Sequence, residues 1–169
     1  MASSEFRARV VNQKTVWSAG AYDTLSARFI EAAGFDAVMT SGFGVSASLL
    51  GQPDAELYTM SENLGVARNV VAAVRVPVVA DIDTGYGNAI NVMRTIREFE
   101  AAGVSAVIME DQIAPKRCPI CVAGVEVIDK DEAVAKIQAA VAARRNPDML
   151  IIARTDVVDE AEAIDRAKA

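Results

Sequence analysis

Short apolar runs alternate along this chain with longer stretches in which apolar residues recur every three or four positions. The runs are Thr15–Ala19, Asp36–Thr40, Pro77–Asp81, Ser105–Met109 and Met149–Ala153. Each is rich in Val, Ile, Ala or Met, as strands covered on both faces are. The longer stretches read as helices. Tyr22–Ala33 stops at Gly34, and Ser61 is placed to cap a helix whose apolar stripe is Val66, Val70 and Val74. Asn88 precedes Val92, Ile96 and Phe99, spaced i, i+4, i+7. Another helix carries Val134, Ile137 and Val141 into Arg144-Arg145, cations that suit a helix C-terminus, and Asp159 opens a last one. Gly34-Phe35-Asp36-Ala37-Val38 and Gly103-Val104-Ser105-Ala106-Val107 repeat one design, a helix closed by glycine and a buried strand two residues on. This rhythm predicts an α/β fold with a parallel sheet and five strand–helix units. A complete (β/α)8 barrel takes about 250 residues, so the units form either a smaller open sheet or the first part of a barrel. No linker or low-complexity stretch interrupts residues 1–169, which read as one domain. Trp17 and the methionines at strand positions read as core.

Polar residues gather where the strands finish. The second strand runs into Ser41-Gly42-Phe43-Gly44, the third carries Asp81 and Asp83, the fourth ends at Glu110-Asp111 and the fifth at Arg154-Thr155-Asp156. In parallel α/β folds ligands bind at the carboxyl ends of the strands, so the four ends predict one shared pocket. Side chains alternate along a strand, which sends Asp81 and Asp83 to one side and Ala80 and Ile82 to the other. Glu110 shares a face with Ala106 and Ile108 by the same parity. Three carboxylates at one mouth repel unless something positive sits among them, and Mg²⁺, which takes oxygen ligands from carboxylates, waters and substrate, is the natural candidate. The plainer reading makes these acids helix caps or solvated loop charges. Gly85-Tyr86-Gly87 permits a tight turn or a close approach of amides to an anion, and the hydroxyl and successive amides of Ser41-Gly42-Phe43-Gly44 suit a carboxylate.

Composition narrows the chemistry. The chain has no histidine, so Ser-His-Asp triads, Cys-His pairs and His-ligated zinc are excluded. A net charge of −6 without a basic run argues against a nucleic-acid surface. The opening Met1-Ala2-Ser3-Ser4-Glu5-Phe6-Arg7 has no apolar core of a secretory signal, and every 18-residue window carries charge. The expectation is a cytoplasmic chain without a membrane span. Gln112 to Val127 is the longest stretch without periodicity and reads as a lid, in which Lys116 and Arg117 bring positive charge over an anionic ligand. Cys118-Pro119-Ile120-Cys121 lacks the two further soft ligands that zinc needs. A single reactive thiol, Cys118, fits better than a redox pair.

These residues together resemble the isocitrate lyase/phosphoenolpyruvate mutase superfamily. Asp81-Ile82-Asp83-Thr84-Gly85-Tyr86-Gly87-Asn88, Glu110-Asp111-Gln112, Pro115-Lys116-Arg117-Cys118 and Ala153-Arg154-Thr155-Asp156 carry the resemblance, with Ser41-Gly42 and Gln52-Pro53-Asp54. It implies a (β/α)8 barrel of TIM type, here about its first five β/α units, with Mg²⁺ (or Mn²⁺) and a 2-oxo or 2-hydroxy acid at the mouth. The Lys-Arg-Cys run is most similar to methylisocitrate lyases and related C–C lyases or decarboxylases. By position, Asp81, Asp83 and Glu110 would serve the metal, directly or through its water. Ser41, Gly42 and Phe43 would hold the substrate carboxylate. Asp54 would lie near the substrate and Arg154 would pair with its oxygens. Lys116, Arg117 and Cys118 would sit on a mobile loop with the thiol as general acid or base.

The chain departs from the superfamily pattern where Pro119-Ile120-Cys121 replaces Gly-His, and where Gly124-Val125-Glu126 replaces Gly-Lys-Glu. The superfamily's homo-oligomer uses C-terminal helices that lie beyond Ala169. Three readings follow. The first is a Mg²⁺-dependent C–C lyase working through an enolate. The second is a non-catalytic remnant that binds a carboxylate or a partner chain. The third is a phosphonopyruvate-type enzyme acting on a P–C bond, or an oxaloacetate decarboxylase-like one.

Overall fold

A computed structural model describes residues 2–12, 15–118 and 124–169. Five strands, β1 Ser18–Ala21, β2 Ala37–Thr40, β3 Val78–Asp81, β4 Ala106–Glu110 and β5 Leu150–Arg154, form one parallel sheet in the order β1-β2-β3-β4-β5. Seven helices join and flank them: α1 Ala2–Val11, α2 Thr24–Ala32, α3 Gly42–Leu50, α4 Met60–Ala73, α5 Ala89–Ala101, α6 Lys130–Ala143 and α7 Glu160–Lys168. Sequential order with all-parallel pairing is the barrel pattern, and places the carboxyl ends of all five strands along one rim.

The two faces of the sheet are covered differently. On one side Ala80, Ile82, Val107 and Met109 pack against Leu64 and Ala67 of α4, Val92, Ile96 and Phe99 of α5, and Ala140 of α6. The α5 stripe is fully buried because its i, i+4, i+7 spacing turns all three side chains toward the sheet. On the other side Phe6 of α1 packs against Ala37, Val79 and Ala106, near the N-terminal ends of their strands. Asp81, Glu110 and Arg154 share that second parity, at the opposite ends. The two glycine-closed repeats also share a staple. The Glu31 carboxylate accepts the amides of Arg75 and Val76 (2.6 and 3.2 Å), and Glu100 accepts those of Arg145 and Asn146 (2.9 and 2.6 Å).

Several expectations need correction. The first strand lies at Ser18–Ala21, three residues beyond the run expected at Thr15–Ala19, and Trp17 is 68% exposed instead of core. The α4 cap is Thr59, not Ser61, because Glu62 completes a capping box with it: Glu62 Oε2 accepts the Thr59 amide at 2.7 Å. On α4 the buried face is Asn63, Leu64, Ala67 and Val70, and on α6 it is Lys136, Ala140 and Ala143, leaving Val141 48% exposed. Ser41-Gly42-Phe43-Gly44, read from the sequence only as a strand end suited to a carboxylate, begins a helix. It opens α3, with the Ser41 hydroxyl accepting from the Gly44 amide. Asn88 and Asp159 cap α5 and α7 as expected.

Candidate active site

The site starts from Asp81, the last residue of β3. Its amide donates to the Thr40 hydroxyl on β2 (3.2 Å), which ties the two strand ends together. Its carboxylate accepts the amide of Gly42 at Oδ2 and that of Asp83 at Oδ1, both at 3.1 Å. No side chain larger than hydrogen fits at position 42. A Cβ there would lie 2.8 Å from the Tyr58 hydroxyl, 2.9 Å from Asp81 Oδ2 and 3.0 Å from Asp83 Oδ1. Asp81 and Asp83 therefore converge as expected, but strand parity is only half the reason. The strand ends at Asp81, and Asp83 turns inward with φ of 50°. Its Oδ2 accepts from the Tyr86 hydroxyl (3.2 Å), which in turn accepts from the Asn63 amide (2.7 Å). Burial, and then the neighbouring Asp83, push the Asp81 carboxyl upward.

The positive group among these acids is Lys116. Its ammonium lies 3.1 Å from Asp54 Oδ1, 2.5 Å from Asp83 Oδ1 and 3.8 Å from Glu110 Oε1, and the residue is 3% exposed. Burial alone would lower the lysine pKa, but Asp83, Asp81 and Glu110 outweigh it and hold the amine charged. The Lys116 amide donates to Glu56 Oε2 (3.0 Å), while Glu56 Oε1 accepts from the Thr84 hydroxyl (2.5 Å). Glu56 is itself in the left-handed region, with φ of 54°. Lys116 is thus placed inside the acid cluster, not above it as a lid cation.

Glu110 and Arg154 are register partners at the ends of β4 and β5. The Arg154 guanidinium reaches Glu110 Oε2 at 2.8 Å and Asp156 through Nε and Nη2 (2.8 and 2.9 Å). Burial pushes the Glu110 carboxyl up to about 7, against the opposing pull of Lys116 and Arg154. Gln112 donates to Asp156 (2.6 Å). Asp111 accepts from the Thr155 hydroxyl, the Asp156 amide and Arg166, which fixes the ends of both strands. The ends of the expected lid are zipped together by Ile113 N–H to Glu126 O and Ile128 N–H to Asp111 O.

Of the residues read from the sequence, Gly42, Asp54, Asp81, Asp83, Glu110, Lys116 and Arg154 come together. Ser41 acts as the α3 cap. Phe43 is 53% exposed, and Arg117 is exposed with its amide on Gln112. Cys118 is a buried free thiol, and Cys121 lies outside the described residues. Gly85-Tyr86-Gly87 makes a tight turn, with the Gly85 amide on Ile82 O. Sequence reasoning missed Glu56, Tyr58 and Asn63, and named Tyr86 and Asp156 within motifs without giving either a role of its own. Asn63 had a visible signal, a polar residue four positions before Ala67 on the face that buries α4.

Among the described residues no three carboxylates stand as a ready-made metal cage. The donor set nevertheless suits a hard divalent cation. Asp54, Asp81, Asp83 and Glu110 supply oxygen ligands only. Asp54 Oδ1, Asp83 Oδ1 and Glu110 Oε1 are buried without a hydrogen bond, held only by the lysine charge. Four carboxyls face two cations, Lys116 and Arg154, and the surplus is negative.

A parallel sheet in barrel order, with acids and one arginine on its C-terminal rim, is the architecture of the α/β-barrel class. The chain belongs to the phosphoenolpyruvate phosphomutase family, whose model matches residues 6–169. It is 49% identical over 164 residues to 2,3-dimethylmalate lyase of Eubacterium barkeri, covering 94% of this chain and 56% of that protein. The crystal structure of phosphoenolpyruvate phosphomutase from Streptomyces platensis subsp. rosaceus superposes with a TM-score of 0.95 at 44% identity, over 99% of this chain and 60% of that one. A phosphonopyruvate hydrolase solved with oxalate and Mg²⁺ matches with a TM-score of 0.90 at 36% identity, over 99% of this chain and 59% of that one. The chain thus spans little more than half the length of these relatives. No helix among the described residues is long and apolar enough to cross a membrane.

Proposed function

We propose that the protein to which this chain belongs is a Mg²⁺-dependent C–C lyase acting on a 2-hydroxy or 2-oxo carboxylic acid. The observation that carries this reading is the gathering of Asp54, Asp83 and Glu110 about the Lys116 ammonium, with Asp81 beside Asp83, at the sheet's C-terminal rim. Asp81, Asp83 and Glu110 would hold the metal, directly or through water. Bound there, Mg²⁺ supplies Lewis-acid stabilisation of the negative charge that builds on a 2-oxygenated carboxylate.

The chain's own residues do the rest. The first turn of α3 offers amides and a helix N-terminus to the substrate carboxylate. The Arg154 guanidinium, 39% exposed at its side chain, faces the same mouth and pairs with substrate oxygens. As the 2-hydroxyl loses its proton the C–C bond breaks, leaving a 2-oxo acid and a carbanion equivalent on the departing carbon. The hydroxyl proton passes to one of the carboxylates gathered at this rim. The Cys118 thiol delivers a proton to the departing carbon. The relatedness to 2,3-dimethylmalate lyase supports C–C cleavage.

Millimolar Mg²⁺ with oxalate, an enolate mimic, is expected to raise the melting temperature of the purified chain by roughly 5–10 °C at saturation. No shift with both present overturns the reading. Release of a 2-oxo acid from 2,3-dimethylmalate or 2-methylisocitrate would establish the bond cleaved. Turnover of phosphonopyruvate instead would move the reaction to a P–C bond.

A further inference from the structure

A second opening lies behind the acids. On the helix side of the sheet, α6 and α7 leave a cavity of about 250 Å³ against the ends of β4 and β5. Met109 and Ala153 are register partners whose side chains alternate away from Glu110 and Arg154. They line the cavity together with Ala133 and Ile137 of α6 and Ala167 of α7. Four cations also border it, and three of them are paired: Lys130 with Asp165 (2.7 Å), Arg154 with Glu110 (2.8 Å) and Arg166 with Asp111 (3.2 Å). Lys136 of α6 is the fourth. It is 5% exposed, too little for its stem to carry the ammonium out to open solvent. Among the described residues no carboxylate lies within ion-pair distance of it. Glu132 and Glu56 act on it only from further away, and burial outweighs both and lowers the lysine pKa. A buried charge without a partner is costly to a fold, and Ala140 and Ala143, which continue the same buried face of α6, show that small apolar residues serve the packing there.

We propose that this cavity is a binding site for a small carboxylate with an apolar body, its head on the Lys136 ammonium and its body among Met109, Ala133, Ile137 and Ala153. The proposal is independent of the metal reading and stands or falls without it. Three physical reasons favour this class of ligand. The first is charge. The two acids at the border, Glu110 and Asp111, are already met by Arg154 and Arg166, so the cation left over is one, and one carboxylate balances it. The second is surface, since the remaining lining is mostly aliphatic and rewards a ligand that brings methylenes with its charge. The third is size. At about 30 Å³ for each group the size of a water or a methylene, the cavity holds roughly eight such groups, which is a carboxylate on a chain of about six carbons. A phosphate or a dicarboxylate would place a second charge among aliphatic side chains with no cation left to meet it.

Hexanoate is the probe, titrated calorimetrically into the 169-residue chain in EDTA so that no divalent cation takes part. It is expected to bind one to one with a Kd on the order of 0.1 mM. Acetate has the head without the body, and hexylammonium has the body with the opposite charge. Each is expected to bind at least roughly tenfold more weakly than hexanoate. Lys136→Met keeps the stem and removes the charge, and is expected to weaken hexanoate by roughly tenfold or more. No hexanoate binding at millimolar concentration overturns the proposal. Binding that Lys136→Met leaves unchanged overturns it as well, because the carboxylate then sits on another cation. Acetate that binds as tightly as hexanoate removes the apolar body from the site and has the same result. Should Lys136→Met not fold, the unaltered chain decides alone. Acylation of Lys136 by an N-hydroxysuccinimide ester, followed by peptide mass spectrometry, is expected to slow roughly tenfold in saturating hexanoate, and equal rates with and without it sink the assignment.

Discussion

Glu110 is 4% exposed and has a pKa of about 7, against an ordinary 4.5, because burial costs its charged form more than Lys116 and Arg154 return. A carboxyl whose pKa rises on folding stabilises the fold while protonated, so its contribution is complete below the unfolded value and is lost as pH climbs through about 7. In metal-free buffer the chain is expected to lose up to about 3 kcal/mol of stability between pH 4.5 and 8 from this group. Asp81, also raised, contributes with the same sign. Glu110→Gln is expected to keep only the part due to Asp81, a difference that denaturant midpoints at the two pH values measure directly. Parallel curves for the two chains would place the titration elsewhere. Three non-glycine residues near this rim, Glu56, Asp83 and Tyr86, have positive φ, and such backbone strain tends to collect at functional sites. None of the three was legible as strained from the sequence. The acids were, since a carboxylate directly after a buried strand has few places to point. Their partners Tyr58, Asn63 and Glu56 come from other segments, and only closure of three loops brings them into contact.

Elements were legible where one device dominates. Asn88 with Val92, Ile96 and Phe99 has a cap and a clean stripe, and α5 forms there with all three side chains buried. Phe99→Ala is expected to cost about 3–5 kcal/mol in denaturant unfolding, because it opens a cavity between α5 and the sheet. A loss under about 1 kcal/mol would mean that this seam is loosely packed. Strands β2 to β5 lie within a residue of the apolar runs. α3 was hidden because Gly42-Phe43-Gly44 weakens helix propensity by about 1 kcal/mol per glycine. It forms because Ser41 caps one end, Gly51 turns left-handed at the other, and only glycine clears Tyr58 and Asp81 at position 42. α1 was hidden because only Phe6 of its ten residues is buried. The α4 start was a missed signal, since Thr59 with Glu62 is a capping box and Ser61 with Leu64 is not.

At the scale of the whole molecule, among the described residues β1 pairs only with β2 and β5 only with β4, so the sheet they form has two free edges. Beside the second edge Val158 is 96% exposed, Ile164 45% and Ile152 36%. Unpaired strand edges next to apolar surface invite association. Sedimentation equilibrium of the isolated chain is expected to show an average mass that climbs above 17.9 kDa as concentration rises; a constant monomer mass would mean that these surfaces are tolerated in water. The parallel strand–helix rhythm was legible in the glycine-closed repeats, which encode a local unit that recurs, but a local unit does not choose between an open sheet and a barrel. The ammonium at the centre of the acids carries one last consequence. A polypeptide that brings its own positive charge to its most acidic spot does not depend on its surroundings to supply one while it folds. Synthesis can then run ahead of ion supply, and the freshly made chain is expected to keep its circular-dichroism spectrum in EDTA.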